Sequence, residues 1–145
     1  MFNNVVVGTD GSDTADKAVE TAARLAREWN AVLHIVTGYR SSGPGMGSAS
    51  GGPLADSGAG DRLQQEAAEQ IGAKAASAWG EGINTQHHPV SGHAADAILD
   101  TAQTVGADLI VVGSRGMHGA RRFLGSVPNS VAHGASCAVL IVKTD

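Results

Sequence analysis

Short apolar runs alternate along the chain with longer segments in which apolar residues recur at helical spacing. Continuous apolar runs are typical of strands covered on both faces, and they occur at residues 5–7, 31–36, 109–112 and 138–142. A more polar run at 83–90 predicts an edge strand. The segments with helical spacing predict four helices. These start near Ser12, Asp61, Ser91 or Gly92, and Pro128, and they end near Asn30, Gly80, Gly106 and Gly134.

The alternation of five predicted strands with four predicted helices indicates an α/β fold. Strands that alternate with helices form parallel sheets with helices on both faces. We therefore expect one Rossmann-like, three-layer domain over residues 1–145, with the strand order 3-2-1-4-5. In that order the first and fourth strands are neighbours, and ligands of open α/β sheets bind where their carboxyl ends meet.

Residues 40–60 differ from the rest of the chain because they consist mainly of Gly, Ser, Pro and Ala. Such a composition predicts a flexible surface loop inside the domain. A lid is the alternative, because the segment leaves the same end of the sheet as the glycine-rich stretch after the fourth strand.

The composition argues against several classes of function. Aromatic residues make up only 3% of the chain, the net charge is −4 and there is no basic run, so we expect no nucleic-acid partner. The single cysteine, Cys137, cannot form an internal disulfide and favours a reducing compartment. No apolar run of 18 residues and no signal-like leader occur, so we expect a cytosolic protein without a membrane anchor. The six histidines lack the spacing of zinc ligands, which predicts no zinc site.

The most informative stretch follows the fourth predicted strand, where glycines stand at Gly113, Gly116 and Gly125 and the last precedes Ser126. Glycines let backbone N–H groups approach a ligand, and a helix N-terminus adds unpaired donors and partial positive charge. Together they predict a site for an anion such as phosphate. The stretch is not a P-loop, because no Gly-Lys-Ser/Thr closes it, and it is not the Gly-x-Gly-x-x-Gly dinucleotide fingerprint.

The end of the first predicted strand supplies the opposite side of this crevice. Thr9 and Asp10 follow that strand, so the expected strand order brings them across from the glycine-rich stretch. The Asp10 carboxylate could bind ribose hydroxyls or a metal ion on the phosphates. Alternatively, Asp10 is only a turn residue or a helix cap.

Two stretches of the sequence resemble the universal stress protein family. The segment from Gly113 resembles the family's nucleotide loop, Gly-x2-Gly-x9-Gly-Ser/Thr, although eight residues rather than nine separate Gly116 from Gly125. The opening VVVGTDGSDTADKAV resembles the family's first strand and helix. The resemblance extends over essentially the whole chain, and it implies a domain that binds ATP or a related adenine nucleotide, with Mg²⁺.

The resemblance also implies which residues form the site. Gly8, Thr9 and Asp10 would contact the nucleotide from the end of the first strand, and Ile35 and Val112 would flank the adenine. The residues that would hold ribose and phosphates are Gly113, Arg115, Gly116, Gly125, Ser126 and Val127.

The last predicted strand, Ala138 to Val142, is apolar and lies at an edge of the expected sheet. An apolar edge that few charges protect needs a cover, and a two-fold partner provides one. The family resemblance implies the same arrangement, a homodimer formed through this strand.

Three functions remain open from the sequence. The first is a regulatory protein of the stress response that binds ATP, which we favour because no base with a positioned partner and no Walker lysine accompany the glycine-rich stretch. The second is a slow ATPase or phosphoryl-transfer enzyme that uses the same site. The third is an interaction module without nucleotide, against which the three glycines and Ser126 argue.

Overall fold

A computed structural model of the chain describes residues 1–41, 57–114 and 124–144. Strands and helices alternate throughout, as the apolar pattern predicts. The elements are β1 (Asn4–Gly8), α1 (Asp13–Trp29), β2 (Val32–Tyr39), α2 (Ser57–Trp79), β3 (Thr85–Ser91), α3 (Ala94–Val105), β4 (Leu109–Gly113), α4 (Ser126–Gly134) and β5 (Ala138–Val142).

The five strands form one parallel sheet in the order β3-β2-β1-β4-β5. This order confirms the predicted topology. The central pairing joins β1 to β4, with Val6 opposite Ile110, and therefore brings together segments about a hundred residues apart in the sequence. As the polar pattern predicts, β3 lies at an edge.

The core has two halves because successive side chains of a strand point to opposite faces. Val5 and Val7 pack with α1 on one face, whereas Val6 packs with α3 on the other. Most of the helical residues in these layers are alanines; those of α1 are Ala15, Ala18, Ala22, Ala23 and Ala26. Small residues let the helices approach the sheet closely, which explains how a chain with so few aromatic residues fills its interior.

Three predicted helix boundaries are confirmed: the start of α1 and the ends of α1 and α3. Ser12 Oγ accepts the backbone N–H of Ala15 at 3.2 Å and caps α1. Asn30 ends α1 in the left-handed region, with φ 53°, and Gly106 ends α3 there with φ 64°. Both conformations close a helix by turning its last carbonyl groups toward backbone donors.

Two predicted helix starts are wrong. Helix α2 begins at Ser57 rather than Asp61, so residues 57–60 belong to the helix and not to the predicted loop. Extending an existing helix adds one hydrogen bond per residue, which offsets the cost of a glycine. The remainder of that loop, residues 42–56, lies outside the described residues.

Helix α3 begins at Ala94, with His93 as its N-cap, rather than at Ser91 or Gly92. The difference arises because Ser91 still pairs with Tyr39 in the sheet, and the Gly92 N–H donates to the Tyr39 carbonyl at 2.8 Å. Gly92 then turns the chain with φ +134°.

None of the helices in the described part of the chain combines the length and apolar character that crossing a bilayer requires.

Candidate functional site

A cavity of about 300 Å³ opens at the carboxyl end of the sheet. It lies between the ends of β1, β2 and β4 and the first turns of α3 and α4. Its walls are mostly apolar, and Asp10 is the one charged residue among the described residues that line it. The lining residues are Gly8, Thr9, Asp10, Ala15, Val36, Gly38, Ala94, Ile98, Val112, Gly113, Ser126, Val127 and Pro128.

A close approach of α3 to β2 forms one wall of the cavity. A Cβ atom on Gly38 would lie 3.1 Å from both the Gly92 carbonyl oxygen and the Ala94 Cα. These neighbours are backbone atoms, which cannot rotate away as the end of a side chain can. Glycine at position 38 therefore allows the first turn of α3 to reach the cavity.

The opposite wall is the first turn of α4. Gly125 is the N-cap of this helix, and in the described part of the chain no side chain caps the helix. The first four N–H groups of an α-helix have no partner within the helix, and Pro128 lacks an N–H altogether. The backbone donors of Ser126 and Val127 therefore lie at the cavity together with the positive end of the helix dipole, an arrangement that attracts an anion.

The turn after β1 has its own hydrogen bonds. Thr9 is buried, and its Oγ1 accepts the Gly11 N–H at 3.1 Å. The Asp10 Oδ1 accepts the Ser12 N–H at 3.0 Å. Asp10 is therefore a turn residue, and Ser12 rather than Asp10 caps α1. Both Thr9 and Asp10 also line the cavity, so the turn role and a ligand role are compatible.

Hydrogen bonds of the buried residue Ser114 join the end of β4 to the end of β5. Its N–H donates to the Val142 carbonyl at 2.8 Å, and its Oγ accepts the Thr144 N–H at 3.1 Å. Lys17 of α1 donates to the Thr144 carbonyl at 3.0 Å. The glycine-rich stretch therefore starts from a point that is anchored to both a strand and a helix.

The structure brings together most of the predicted site residues. Seven of them line the cavity, namely Gly8, Thr9, Asp10, Val112, Gly113, Ser126 and Val127. Gly125 precedes Ser126 as the N-cap of α4. Arg115 and Gly116 lie outside the described residues, as do Arg121 and Arg122.

Ile35 is the predicted residue that lies elsewhere. It is fully buried in the core on the α1 face of the sheet, and Val36, one residue later, lines the cavity instead. The alternation of side chains along β2 explains the difference, because Val36 shares its face of the sheet with Val112.

Besides Val36, five further lining residues were not among the predicted site residues, namely Ala15, Gly38, Ala94, Ile98 and Pro128. Ile98 belongs to the apolar stripe of α3, and this pattern does not distinguish a residue that packs in the core from one that lines a cavity. No sequence signal marks Gly38 or Ala94, because their place at the cavity depends on where α3 starts.

The described residues contain no group of three or more His, Cys, Asp or Glu side chains that could hold a metal ion. Among the described residues that line the cavity, Asp10 is the carboxylate that could contact a metal ion.

Comparison with known proteins agrees with this architecture. Residues 1–143 match the model of the universal stress protein family. The chain is 34% identical to the universal stress protein YxiE of Bacillus subtilis, with 99% of this chain and 100% of that protein covered. It is also 34% identical to the universal stress protein Rv1636 of Mycobacterium tuberculosis, with 99% and 97% covered.

Two solved structures add information about ligands. A universal stress protein in complex with cAMP is 34% identical to this chain, with a TM-score of 0.71 and 99% of this chain and 98% of that chain covered. The universal stress protein from Archaeoglobus fulgidus in complex with dAMP is 26% identical, with a TM-score of 0.70 and 97% and 98% covered. Both of these ligands are adenine nucleotides.

We predict that Ser114→Ala destabilises the protein by about 1–3 kcal/mol, because the buried Thr144 N–H loses its acceptor. Urea unfolding monitored by circular dichroism measures the change. Ser130→Ala on the exposed surface of α4 is the matched control, and it should change the stability by less than about 0.5 kcal/mol. Equal stabilities of the two variants would show that the Ser114 anchor contributes nothing.

Proposed function

Because this chain belongs to the universal stress protein family, we propose that it binds an adenine nucleotide, ATP or a close relative, in the cavity at the carboxyl end of its sheet. The observation that carries the proposal is the combination of an apolar cavity, the uncapped N-terminus of α4 and the Asp10 carboxylate in one place. An adenine nucleotide needs these three features for its base, its phosphates and its ribose.

The cavity suggests how the parts of the nucleotide are arranged. The phosphates bind at Gly125, Ser126 and Val127, where backbone donors meet the positive end of α4. Gly113 and, beyond the described residues, Arg115 and Gly116 complete that side, as the family resemblance implies.

The adenine lies against the apolar wall. Val112 is one of its neighbours, and we now propose Val36 in place of Ile35 as the other, because Val36 lines the cavity and Ile35 does not. Gly8 and Thr9 close the site from the end of β1.

A Mg²⁺ ion fits this arrangement through Asp10. Magnesium in nucleotide sites is usually held by one or two carboxylates together with phosphate oxygens, and Asp10 is the carboxylate at the cavity. When bound, the ion would neutralise phosphate charge. Asp10 itself either contacts the ion or accepts hydrogen bonds from ribose hydroxyls.

We propose a regulatory role in the stress response, in the cytosol, rather than catalysis. Among the described residues that line the cavity, none is a histidine, a lysine or an arginine, and the hydrogen bond of Asp10 to Ser12 is typical of a turn. A slow ATPase or phosphoryl transferase is the second candidate, for which residues beyond those described would have to supply the catalytic groups. An interaction module without nucleotide is the third, and the preserved cavity argues against it.

We also propose a homodimer formed through β5. This strand is the outer neighbour of β4, so its other edge pairs with no strand of the described residues. Val139 and Ile141 pack against the α3 side of the core, whereas Leu140 on the other face is 37% exposed. A second copy would cover both the unpaired edge and Leu140.

We predict that Asp10→Ala weakens ATP binding by about 10- to 150-fold, because a hydrogen bond to a charged group contributes about 1.5–3 kcal/mol. Isothermal titration calorimetry measures the affinity. Asp10→Asn removes the charge but keeps an oxygen that can accept the Ser12 N–H. This variant should therefore bind ATP weakly while the turn keeps its hydrogen bond.

Ser12→Ala is the matched control for this pair. It removes the cap of α1 without removing a side chain that lines the cavity, so it should cost about 1 kcal/mol of stability and leave the affinity unchanged. If Asp10→Ala behaves like Ser12→Ala in both measurements, Asp10 is a turn residue only.

We predict that the parent protein sediments as a dimer and that Leu140→Lys converts it to a monomer, because a buried lysine at the interface would lack a partner charge. Leu63→Lys is the control, since Leu63 on α2 is 67% exposed and lies away from β5. Sedimentation velocity at several concentrations distinguishes the species. A parent that remains monomeric at high concentration, or a dimer that survives Leu140→Lys, would contradict the proposed interface.

A further inference from the structure

A row of hydrogen bonds crosses four strands of the sheet, from the amino ends of β4 and β1 to His88 in the middle of β3. The Asp108 carboxylate, just before β4, accepts the backbone N–H groups of Asn3 and Asn4 at 2.7 and 2.9 Å. The side-chain oxygen of Asn4 on β1 lies 3.1 Å from Nε2 of His34 on β2. Nδ1 of His34 lies 3.0 Å from Nε2 of His88 on β3. The row therefore links the edge strand β3 to the middle of the sheet through side chains.

The partners determine where the protons of the two imidazoles lie at neutral pH. Asn4 Oδ1 can only accept a hydrogen bond, so His34 Nε2 is the donor. A neutral imidazole has one N–H, so His34 Nδ1 is an acceptor and His88 Nε2 donates to it. A proton added to His34 Nδ1 therefore faces another donor. A proton added to His88 Nδ1 leaves the Nε2–H donor of that ring in place, so the contact survives one proton there, whereas it cannot survive a proton on each ring.

Burial opposes the charged form of both rings. His34 is 4% exposed. Burial, with a smaller contribution from His88, lowers the pKa of His34 below its usual value of 6.5. Burial, with a smaller contribution from His87, lowers the pKa of His88. Both effects follow from the cost of placing a charge away from water or beside a like charge.

The elements around the pair offer little to stabilise a positive charge. Helix α3 covers this face of the sheet, and its buried residues Ala97, Ile98, Thr101 and Ala102 are uncharged. The acidic residues of α3, Asp96 and Asp100, are exposed. His87 lies on the other face of β3 against α2, where a Cβ on Gly72 would be 2.8 Å from its Nδ1. On the β1 side, Asp108 bonds backbone N–H groups, and Asn4 is neutral.

We propose that His34 and His88 form a proton-sensitive latch, which holds the edge strand β3 and the start of α3 on the sheet at neutral pH and releases them at mildly acidic pH. The geometry carries this inference, because two mutually bonded imidazoles join β2 to β3 and the bond between them cannot persist when both rings are protonated.

The direction of the effect follows from proton linkage. Both pKa values are lower in the folded protein than in the unfolded chain, so the unfolded chain binds more protons as the pH falls through about 6.5. The stability that His34 and His88 contribute is therefore fully present above about pH 6.5. It decreases as the pH falls below 6.5, and it changes no further below the folded-state pKa values. The pKa of Asp108 is lowered from 3.8 by its two backbone hydrogen bonds, so its contribution is lost only at much lower pH.

The latch also reaches the cavity through α3. Strand β3 ends at Ser91, and α3 begins three residues later at Ala94, which lines the cavity. Release of β3 and the start of α3 would therefore weaken binding there. This consequence rests on the proposed nucleotide function, whereas the latch itself is tested on the protein without ligand.

The first test follows the imidazole C–H signals of the parent protein by NMR between pH 8 and pH 5. We expect the signals assigned to His34 and His88 to titrate below the usual imidazole pKa of 6.5. Hydrogen exchange, corrected for the intrinsic pH dependence, is then compared at pH 7.5 and 5.5. Protection should fall in β3 and the first turn of α3 more than in β1 and β4. Titration of both rings at or above pH 6.5, or a loss of protection that is uniform across the sheet, would overturn the proposal.

The second test compares variants by urea unfolding over the same pH range. Each proton taken up on unfolding changes the unfolding equilibrium constant about tenfold per pH unit. His34→Gln should reduce the slope by about one proton relative to the parent. His88→Gln, at a more exposed position, serves the same purpose if His34→Gln does not fold. His133→Gln, on the exposed end of α4, is the matched control and should keep the parent's slope. A parent-like slope in His34→Gln or His88→Gln would refute the latch.

Discussion

The parallel pairing of β1 with β4 is the contact on which the rest of the molecule depends. It places Val5, Val6 and Val7 beside Leu109, Ile110 and Val111, with both strands inside the sheet and covered on both faces. The same pairing brings the turn after β1 and the segment after β4 to one crevice. The cavity, the Asp10 carboxylate and the start of α4 therefore share one place because of a backbone ladder between distant parts of the chain.

The cavity and the histidine pair adjoin the same face of the sheet, where His88 is the register partner of Val36, a residue that lines the cavity. Helix α3 packs on that face. Its N-terminal turn lines the cavity through Ala94 and Ile98, and its remaining buried residues cover the face on which His34 lies. A close fit of α3 depends on small groups, above all Gly38, where a Cβ would press on the backbone of α3.

The strand order could be predicted, as could seven of the residues that line the cavity, because they depend on apolar runs, glycines and turn residues, which have local signatures. What could not be predicted depends on tertiary contacts. The start of α3 is set by the pairing of Ser91 with Tyr39, and the choice of Val36 over Ile35 is set by which face of β2 the cavity adjoins. The bond between His34 and His88 depends on the register of β2 and β3, since the two residues are 54 positions apart.

The most direct test of the central claim is an NMR titration of the ¹⁵N-labelled protein with ATP, followed through backbone amide shifts. The account predicts that the largest shifts occur at the cavity, at Thr9, Gly113, Ser126 and Val127, and that they saturate as a single site fills. Amide shifts that remain unchanged at millimolar ATP, or that cluster away from the carboxyl ends of β1 and β4, would contradict the proposed nucleotide site.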